Sequence, residues 1–264
     1  GGGQAAGLEA EVLLAHALDW PRARLHAWPD QAMTAAQHTA FHKLTRRRQQ
    51  GEPVAYLTGT REFWSLNLRV TPDTLIPRPE TERLVELALE RLPALGTPHV
   101  ADIGTGSGAI ALALASERPQ AHVAAVDVCP RALAVARNNA ERLSLNHVVF
   151  HCGDLLAPLR GQGFEMVCAN LPYVREGDPH LVQDGLPFEP RIALVAEDAG
   201  LALIKRLADQ ARQALNPGAW LLLEHGYDQG TAVTALLTDL GYREVQCVHD
   251  YTGQPRVSLG QWPA

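Results

Sequence analysis

The chain has 264 residues, 46% hydrophobic and 20% charged, with a formal net charge of −6, a composition that supports a packed core and excludes a disordered chain, a collagen-like repeat and a coiled coil. No run of 18 or more apolar residues occurs, so no membrane span is expected. Residues 1–70 carry 8 Lys and Arg against 6 Asp and Glu, whereas residues 71–264 carry 15 against 23; that acidic majority argues against stable binding to a nucleic-acid backbone.

The N-terminus, Gly1 to Gln4, shows no charged segment followed by an apolar one, and so no secretory signal. The first 60 residues read as helical. Leu8, Val12, Ala15 and Leu18 recur at helical spacing up to Pro21. A second helix is predicted from about Thr34 to Gln50, with Gly51 and Pro53 as its stop. Arg46-Arg47-Arg48 at its end reads as a solvated charge run. Apolar and polar residues then alternate over 63–70, the period of one strand. Pro72, Pro77 and Pro79 punctuate the next stretch, and a helix begins near Glu80 with Leu84, Leu87 and Leu92 on its apolar side. Glu80 and Glu82 suit the positive end of that helix.

From residue 99 onward strands and helices alternate. Strands are predicted at His99–Ile103, His122–Val128, Val148–His151, Phe164–Ala169 and Ala219–His225, and helices at Ala109–Glu117, Arg131–Leu143, Gly200–Leu215 and Thr231–Leu240. Such alternation predicts right-handed βαβ units and a mostly parallel, doubly wound α/β sheet. The last two strands, Arg243–His249 and Arg256–Gln261, are too close for a crossover and should form an antiparallel hairpin. The domain reading is a helical domain over 1–62, a strand-and-proline connector over 63–79, and an α/β domain over 80–264. Cys129, Cys152, Cys168 and Cys247 form no CxxC pair and read as thiols of a reducing, cytoplasmic compartment. The eleven histidines show no metal-ligand spacing, so no metal is expected.

The sharpest local signal is Asp102-Ile103-Gly104-Thr105-Gly106-Ser107-Gly108, at a strand end and a helix start. Ligands of open α/β sheets bind beyond strand carboxyl ends, and glycines there let a ligand approach the backbone. Asp127 ends the next strand, placed to accept hydrogen bonds from ribose hydroxyls. The G-x-G-x-G spacing is neither that of dinucleotide binders nor that of a phosphate loop, and no lysine lies near it. An acid at the loop's entry, Asp102, suits a cationic ligand better than a pyrophosphate. The charge argument favours S-adenosylmethionine, which carries a sulfonium, an ammonium and no phosphate. A second signal, Asn170-Leu171-Pro172-Tyr173, comes just after the fourth strand.

Gly104–Gly108, Asp127 and Asn170–Tyr173 together resemble class I methyltransferases that act on planar nitrogens. Three further stretches narrow the resemblance: residues 51–59 (GEPVAYLTG), Arg61-Glu62-Phe63-Trp64, and residues 75–82 (LIPRPETE). The chain is similar there, and through Phe188-Glu189-Pro190 and residues 223–226 (LEHG), to release factor glutamine methyltransferases. The resemblance covers nearly the whole chain. It implies a class I methyltransferase fold and N5-methylation of the glutamine in the Gly-Gly-Gln loop of class I peptide chain release factors. It also implies that Gly104, Thr105, Gly106, Ser107, Gly108 and Asp127 hold S-adenosyl-L-methionine, that Asp154 and Leu155 flank its adenine, and that Asn170 touches donor and substrate. Asn170, Leu171, Pro172 and Tyr173 then form the catalytic glutamine pocket. The family normally has two prolines in this motif, and the first is Leu171 here. The alternatives are a same-fold amino-methyltransferase for DNA or for another protein's glutamine, a nicotinamide oxidoreductase and a non-catalytic binding module. Arg78 is left open between the site and a local ion pair, and His225 reads as a strand-end histidine facing a helix.

Overall fold

The computed structural model describes residues 2–93, 96–183 and 185–264. The chain divides into two compact units, one of residues 1–60 with 179–188 and one of residues 61–178 with 189–264.

In the first unit, helices α1 (Gly2–Leu18), α2 (Arg22–Ala27), α3 (Ala35–Gln49) and α4 (Val54–Thr58) succeed one another, and α1 packs on α3 and α4. The sequence pattern anticipated α1 and α3 but neither short helix. In α1 the buried side chains are Leu13, Ala15 and Leu18, while Leu8 is exposed, so the buried stripe is rotated from the one expected. A reciprocal cap opens α3: Thr34 Oγ1 accepts from Gln37 N at 3.2 Å, and Gln37 Oε1 accepts from Thr34 N at 2.9 Å. The arginine triplet does end α3, yet of the three only Arg46 is exposed and has no ion-pair partner among the described residues. Arg47 Nε donates to Glu52 at 2.7 Å and Arg48 grips Glu9 at 2.8 and 3.0 Å.

The second unit begins with a two-stranded sheet, β1 (Thr60–Phe63) and β2 (Leu66–Arg69). The single strand expected over 63–70 is broken because Trp64 and Ser65 take φ of 51° and 58°. A short 3₁₀ turn at Pro79–Thr81 leads into α5 (Glu82–Arg91), whose Glu82 accepts from Trp64 N at 2.9 Å. Then come β3 (His99–Ile103), α6 (Ala109–Glu117), β4 (His122–Asp127), α7 (Pro130–Arg142), β5 (Val149–Cys152), β6 (Phe164–Ala169), the two-residue strands β7 (Val174–Arg175) and β8 (Val195–Ala196), α8 (Ala202–Ala211), β9 (Leu215–Glu224), α9 (Gly230–Asp239), β10 (Arg243–His249) and β11 (Pro255–Gln261). The predicted helix over 200–215 is shorter at both ends. Asp198, Ala199 and Gly200 have positive φ, and Leu215 already pairs with Phe164 in the sheet.

Seven strands form one sheet in the order β10-β11-β9-β6-β3-β4-β5. β5, β4, β3, β6 and β9 run parallel, and the terminal pair is antiparallel as expected, with β11 inserted beside β9. Period-2 alternation divides the core into two layers. Val100, Met166, Cys168 and Leu222 face the layer of α5 and α6, while Ala101, Ile103, Val167, Ala169 and Leu223 face that of α8 and α9. The order of strands reverses at β3 and β6, and the carboxyl ends of those strands carry both motifs.

Candidate active site

The glycine loop has the backbone that its composition anticipates. Gly104, Gly106 and Gly108 have φ of 77°, 56° and 88°, conformations open to glycine and strained for other residues. The N–H groups of Gly104 and Thr105 both donate to the Val126 carbonyl, at 2.8 and 2.9 Å. Asp127 completes the clamp, its Oδ2 accepting from Gly106 N at 2.9 Å and its Oδ1 from Cys129 N at 2.8 Å. Asn139, wholly buried in α7, donates from Nδ2 to the Ser107 and Arg69 carbonyls and accepts from Arg69 N. An Asn inside an amphipathic helix was the available signal for that support, since its side chain competes with helical bonding.

Asp102 overturns one expectation. Its carboxyl is buried and does not line the cavity beside the loop; instead Oδ2 accepts from Thr105 Oγ1 at 2.6 Å and Ala111 N at 3.1 Å. Burial raises its pKa to about 7 against those two hydrogen bonds. Asp102 therefore shapes the loop and does not present a charge to a ligand. The expected acidity comes from elsewhere. The cavity, about 270 Å³, is lined by Asp73, Asp127 and Asp154 and by no Lys or Arg among the described residues.

Gly104 to Ser107, Asp127, Asp154, Leu155, Asn170, Leu171 and Pro172 all line this cavity, which Gly108 and Tyr173 do not. Gly108 is close-packed: a Cβ there would meet Leu112 and Ala136 at 3.0 and 3.3 Å. A Cβ on Gly106 would meet nothing within 4 Å and would project into open space. Asp73 pairs with Arg131 at 2.7 Å and Asp154 with Arg206, which leaves Asp127 as the lining acid with no cationic partner among the described residues. That carboxylate and the glycines of the loop fit S-adenosylmethionine, which carries a sulfonium and an ammonium. Leu155 is buried at φ 48°, and Asp154 is ion-paired with Arg206.

Asn170 Nδ2 donates to Thr81 Oγ1 at 3.1 Å. Neither Asn170 Oδ1 nor the Leu171 carbonyl accepts a hydrogen bond from any described residue. Both residues line the cavity, and these two acceptors have no partner among the described residues. The Leu171 side chain is buried, its Cδ2 3.0 Å from where a Gly104 Cβ would lie, so it fills the space that glycine leaves. The Tyr173 hydroxyl donates to Glu224 Oε1 over 3.5 Å, and burial pushes its pKa well up.

The LIPRPETE and FEP stretches meet. Arg78 pairs with the buried Glu189, whose Oε2 accepts from Ile76 N at 2.9 Å, so the arginine left open by sequence has a local acid partner. His225 is buried with Nε2 2.8 Å from Ser258 Oγ and 3.8 Å from Cys247 Sγ. It faces the terminal hairpin as well as Gly230 at the start of α9, and burial lowers its pKa.

A family model described as PrmC N-terminal domain matches residues 2–59, and one described as Methyltransferase small domain matches residues 82–184. The release factor glutamine methyltransferase of Vibrio cholerae is 48% identical, covering 99% of this chain and 91% of its own length. The chain belongs to the release factor glutamine methyltransferase family. The Escherichia coli member is 47% identical over 96% of this chain and 91% of its own. The class I methyltransferase fold also recurs in more distant solved structures. A methyltransferase from Pyrococcus furiosus superposes with a TM-score of 0.57 at 19% identity, over 84% of this chain and 99% of that one. The hMettl16 catalytic domain, solved with a MAT2A 3′UTR hairpin, gives 0.61 at 16% identity over 80% of each.

Proposed function

We propose that this chain methylates the side-chain amide nitrogen (N5) of the glutamine in the Gly-Gly-Gln loop of class I peptide chain release factors. The observation that carries the reading is the pair of acceptors without a partner among the described residues, Asn170 Oδ1 and the Leu171 carbonyl, on two residues that line the cavity beside the glycine loop. S-adenosyl-L-methionine, when bound, supplies an electrophilic methyl group and leaves as S-adenosyl-L-homocysteine. Gly104 to Gly108, Asp127, Asp154, Leu155 and Asn170 are the residues assigned to hold it.

An amide nitrogen is a poor nucleophile because its lone pair is delocalised into the carbonyl. Two acceptors that take its two N–H bonds orient it and favour lone-pair localisation. Asn170 and Leu171 take that role, Pro172 stiffens the turn, and Tyr173 braces it from Glu224. Orientation of this kind supplies effective molarities of about 10⁵ M or more. The displaced amide proton passes to solvent.

Residues 1–62 are assigned to grip the release factor, 63–79 to connect, and 80–264 to carry the chemistry. The exposed Lys43 and Arg46 on α3 give that first part a basic face. The four free cysteines fit a cytoplasmic location. The test is methyl transfer from labelled S-adenosylmethionine to a class I release factor, its Gln→Ala loop variant and duplex DNA, with mass spectrometry locating the methyl. Label on the loop glutamine alone supports the reading. Label on DNA replaces it with the same-fold amino-methyltransferase, and donor binding without label replaces it with a binding module.

A further inference from the structure

Gln229 stands at the N-cap position of α9, where a short polar side chain ordinarily bonds the first turn of its own helix; the Gln229 side chain makes no such bond. It is 8% exposed and spends its amide on backbone from three separate places. Nε2 donates to the Tyr173 carbonyl at 3.0 Å and to the Ala199 carbonyl at 2.9 Å, and Oε1 accepts from Gly226 N at 2.8 Å. Both N–H bonds of the amide and a lone pair of its oxygen are thereby in use. Gly226 follows β9 closely, so the amide ties the end of a central strand to Tyr173 and Ala199 together.

Tyr173 and Ala199 are the two feet of one excursion. Between them the chain leaves β6, passes through β7 and β8, and returns toward α8. β7 and β8 pair over two residues each, Val174 with Val195 and Arg175 with Ala196, a ladder too short to hold itself. The returning foot is strained, since Asp198 and Ala199 take φ of 55° and 53° without being glycine. Such residues persist where the surrounding structure holds them, and they cluster at functional sites. Here Gln229 holds the Ala199 carbonyl, and Gly200 lies too close to the Tyr173 carbonyl to admit a Cβ. The same excursion carries Ile192 and Ala193, which line the cavity with Asn170, Leu171 and Pro172.

We propose that Gln229 is a positioning residue for methyl transfer: by clasping the Tyr173 and Ala199 carbonyls, it sets where the Asn170–Tyr173 turn stands relative to Ile192 and Ala193. The inference rests on the proposed glutamine methylation and deepens it, because Gln229 does not line the cavity and acts only through the backbone it holds. Without the clasp the Tyr173 carbonyl loses its side-chain donor and the turn is free to shift. The glycine loop is held separately, by Asp127 and the Val126 carbonyl, and keeps its place for the donor. Methyl transfer to a weakly nucleophilic amide depends on alignment, and a misplacement of about 1 Å costs about 10²-fold in rate.

The test uses the full chain, S-adenosylmethionine and a class I release factor, with Gln229→Met, Gln229→Glu and Val233→Ala. Gln229→Met keeps the length of the side chain and removes all three bonds. Gln229→Glu keeps an acceptor for Gly226 N and removes the pair of amide donors. Both are expected to lower kcat by about 10- to 10²-fold, while the dissociation constant for the donor, measured by calorimetry, changes far less. Val233, one turn further along α9, is fully buried, so Val233→Ala lowers stability without touching the clasp. At a temperature where circular dichroism shows every variant folded, it should keep the wild-type kcat. Wild-type kcat in either Gln229 variant, a loss of donor affinity as large as the loss of kcat, or an equal loss of kcat in Val233→Ala overturns the inference alone. Should Gln229→Met fail to fold, Gln229→Glu decides by the same readouts. Failure of the wild-type protein to label the loop glutamine overturns the functional reading and this inference with it.

Discussion

A Cβ on Gly200 would lie 1.9 Å from the carbonyl oxygen of Tyr173 and 2.7 Å from Gln229 Nε2, which donates to that same carbonyl at 3.0 Å. The backbone that presents the Tyr173 ring is thus held by two residues far along the chain. Gly200 also has φ of 86°, so the position needs glycine twice over. Gly200→Ala is expected to destabilise the fold by roughly 2 kcal/mol and to displace the Asn170–Tyr173 turn. Thermal unfolding checks the first effect. A fall in kcat larger than the fall in donor affinity checks the second.

Glu189 joins two segments that the sequence separates widely. It accepts from Ile76 N and pairs with Arg78, and its side chain is 1% exposed. Glu189→Ala leaves a buried N–H and an unpaired guanidinium. Breaking a fully buried pair costs about 3–5 kcal/mol; Arg78 is 33% exposed, and solvent screening brings the expectation to about 2 kcal/mol. Glu189→Gln keeps an acceptor for Ile76 and should lose less. Denaturant titration of the three proteins orders them, and equal stability of all three would remove this link between the segments.

The legible part of this protein was the part with a period. β3, α6, β6 and β10 have the bounds that alternation and helical spacing predict: the first three are mostly apolar runs ended by glycine or a polar residue, and β10 sets Val245 and Cys247 two apart among polar residues. The glycine loop and Asn170–Tyr173 were legible as strings, and the sheet brings Gly104–Ser107 and Asn170–Pro172 to one cavity. What escaped was direction and partnership. Asp102 reads as a ligand-facing acid, yet it ends inside β3, where its alternate neighbours Ala101 and Ile103 face the other layer and its own carboxyl turns to α6. Trp64 and Ser65 break a strand without any glycine or proline to announce it. The bonds of Glu189 to Ile76, of Asn139 to Arg69 and of Asn170 to Thr81 join residues far apart in sequence, and no local pattern encodes them.

Asp127 spends one carboxylate oxygen on the glycine loop, at Gly106 N, and the other on Cys129 N just before α7, while lining the cavity. Removing it frees two N–H groups and takes away an acceptor for the donor's hydroxyls. A hydrogen bond to a charged group contributes about 1.5–3 kcal/mol, so Asp127→Ala is expected to weaken S-adenosylmethionine binding by roughly 10- to 100-fold. Asp127→Asn, which keeps an acceptor, should fall between. Calorimetric titration with S-adenosylhomocysteine measures this without turnover. Unchanged affinity in Asp127→Ala would remove the residue from the binding site.

Asp102 makes the stability of the fold depend on pH in a defined direction. Burial raises its pKa from 3.8 to about 7, so the native state binds this proton more tightly than the unfolded chain does. By linkage its contribution is complete below the unfolded value and is lost as pH rises through about 7. Glu224 acts in the same sense from 4.5 to about 7, and His225, lowered by burial, acts in the opposite sense around 6.5. Asp250, held down at about 2 by Thr252, Gln254 and Arg256 against the effect of burial, changes only in stronger acid. The informative quantity is therefore the difference between two proteins, not the slope of one. Asp102→Asn keeps an acceptor for Thr105 and Ala111 but has no proton to lose. Measured at intervals from pH 5 to pH 8, the Tm of the variant should gain on that of the wild type as pH rises. A difference between the two curves that stays constant, or a variant that falls further behind the wild type toward pH 8, would mean that Asp102 is ionised throughout and that the glycine loop is anchored by a full charge.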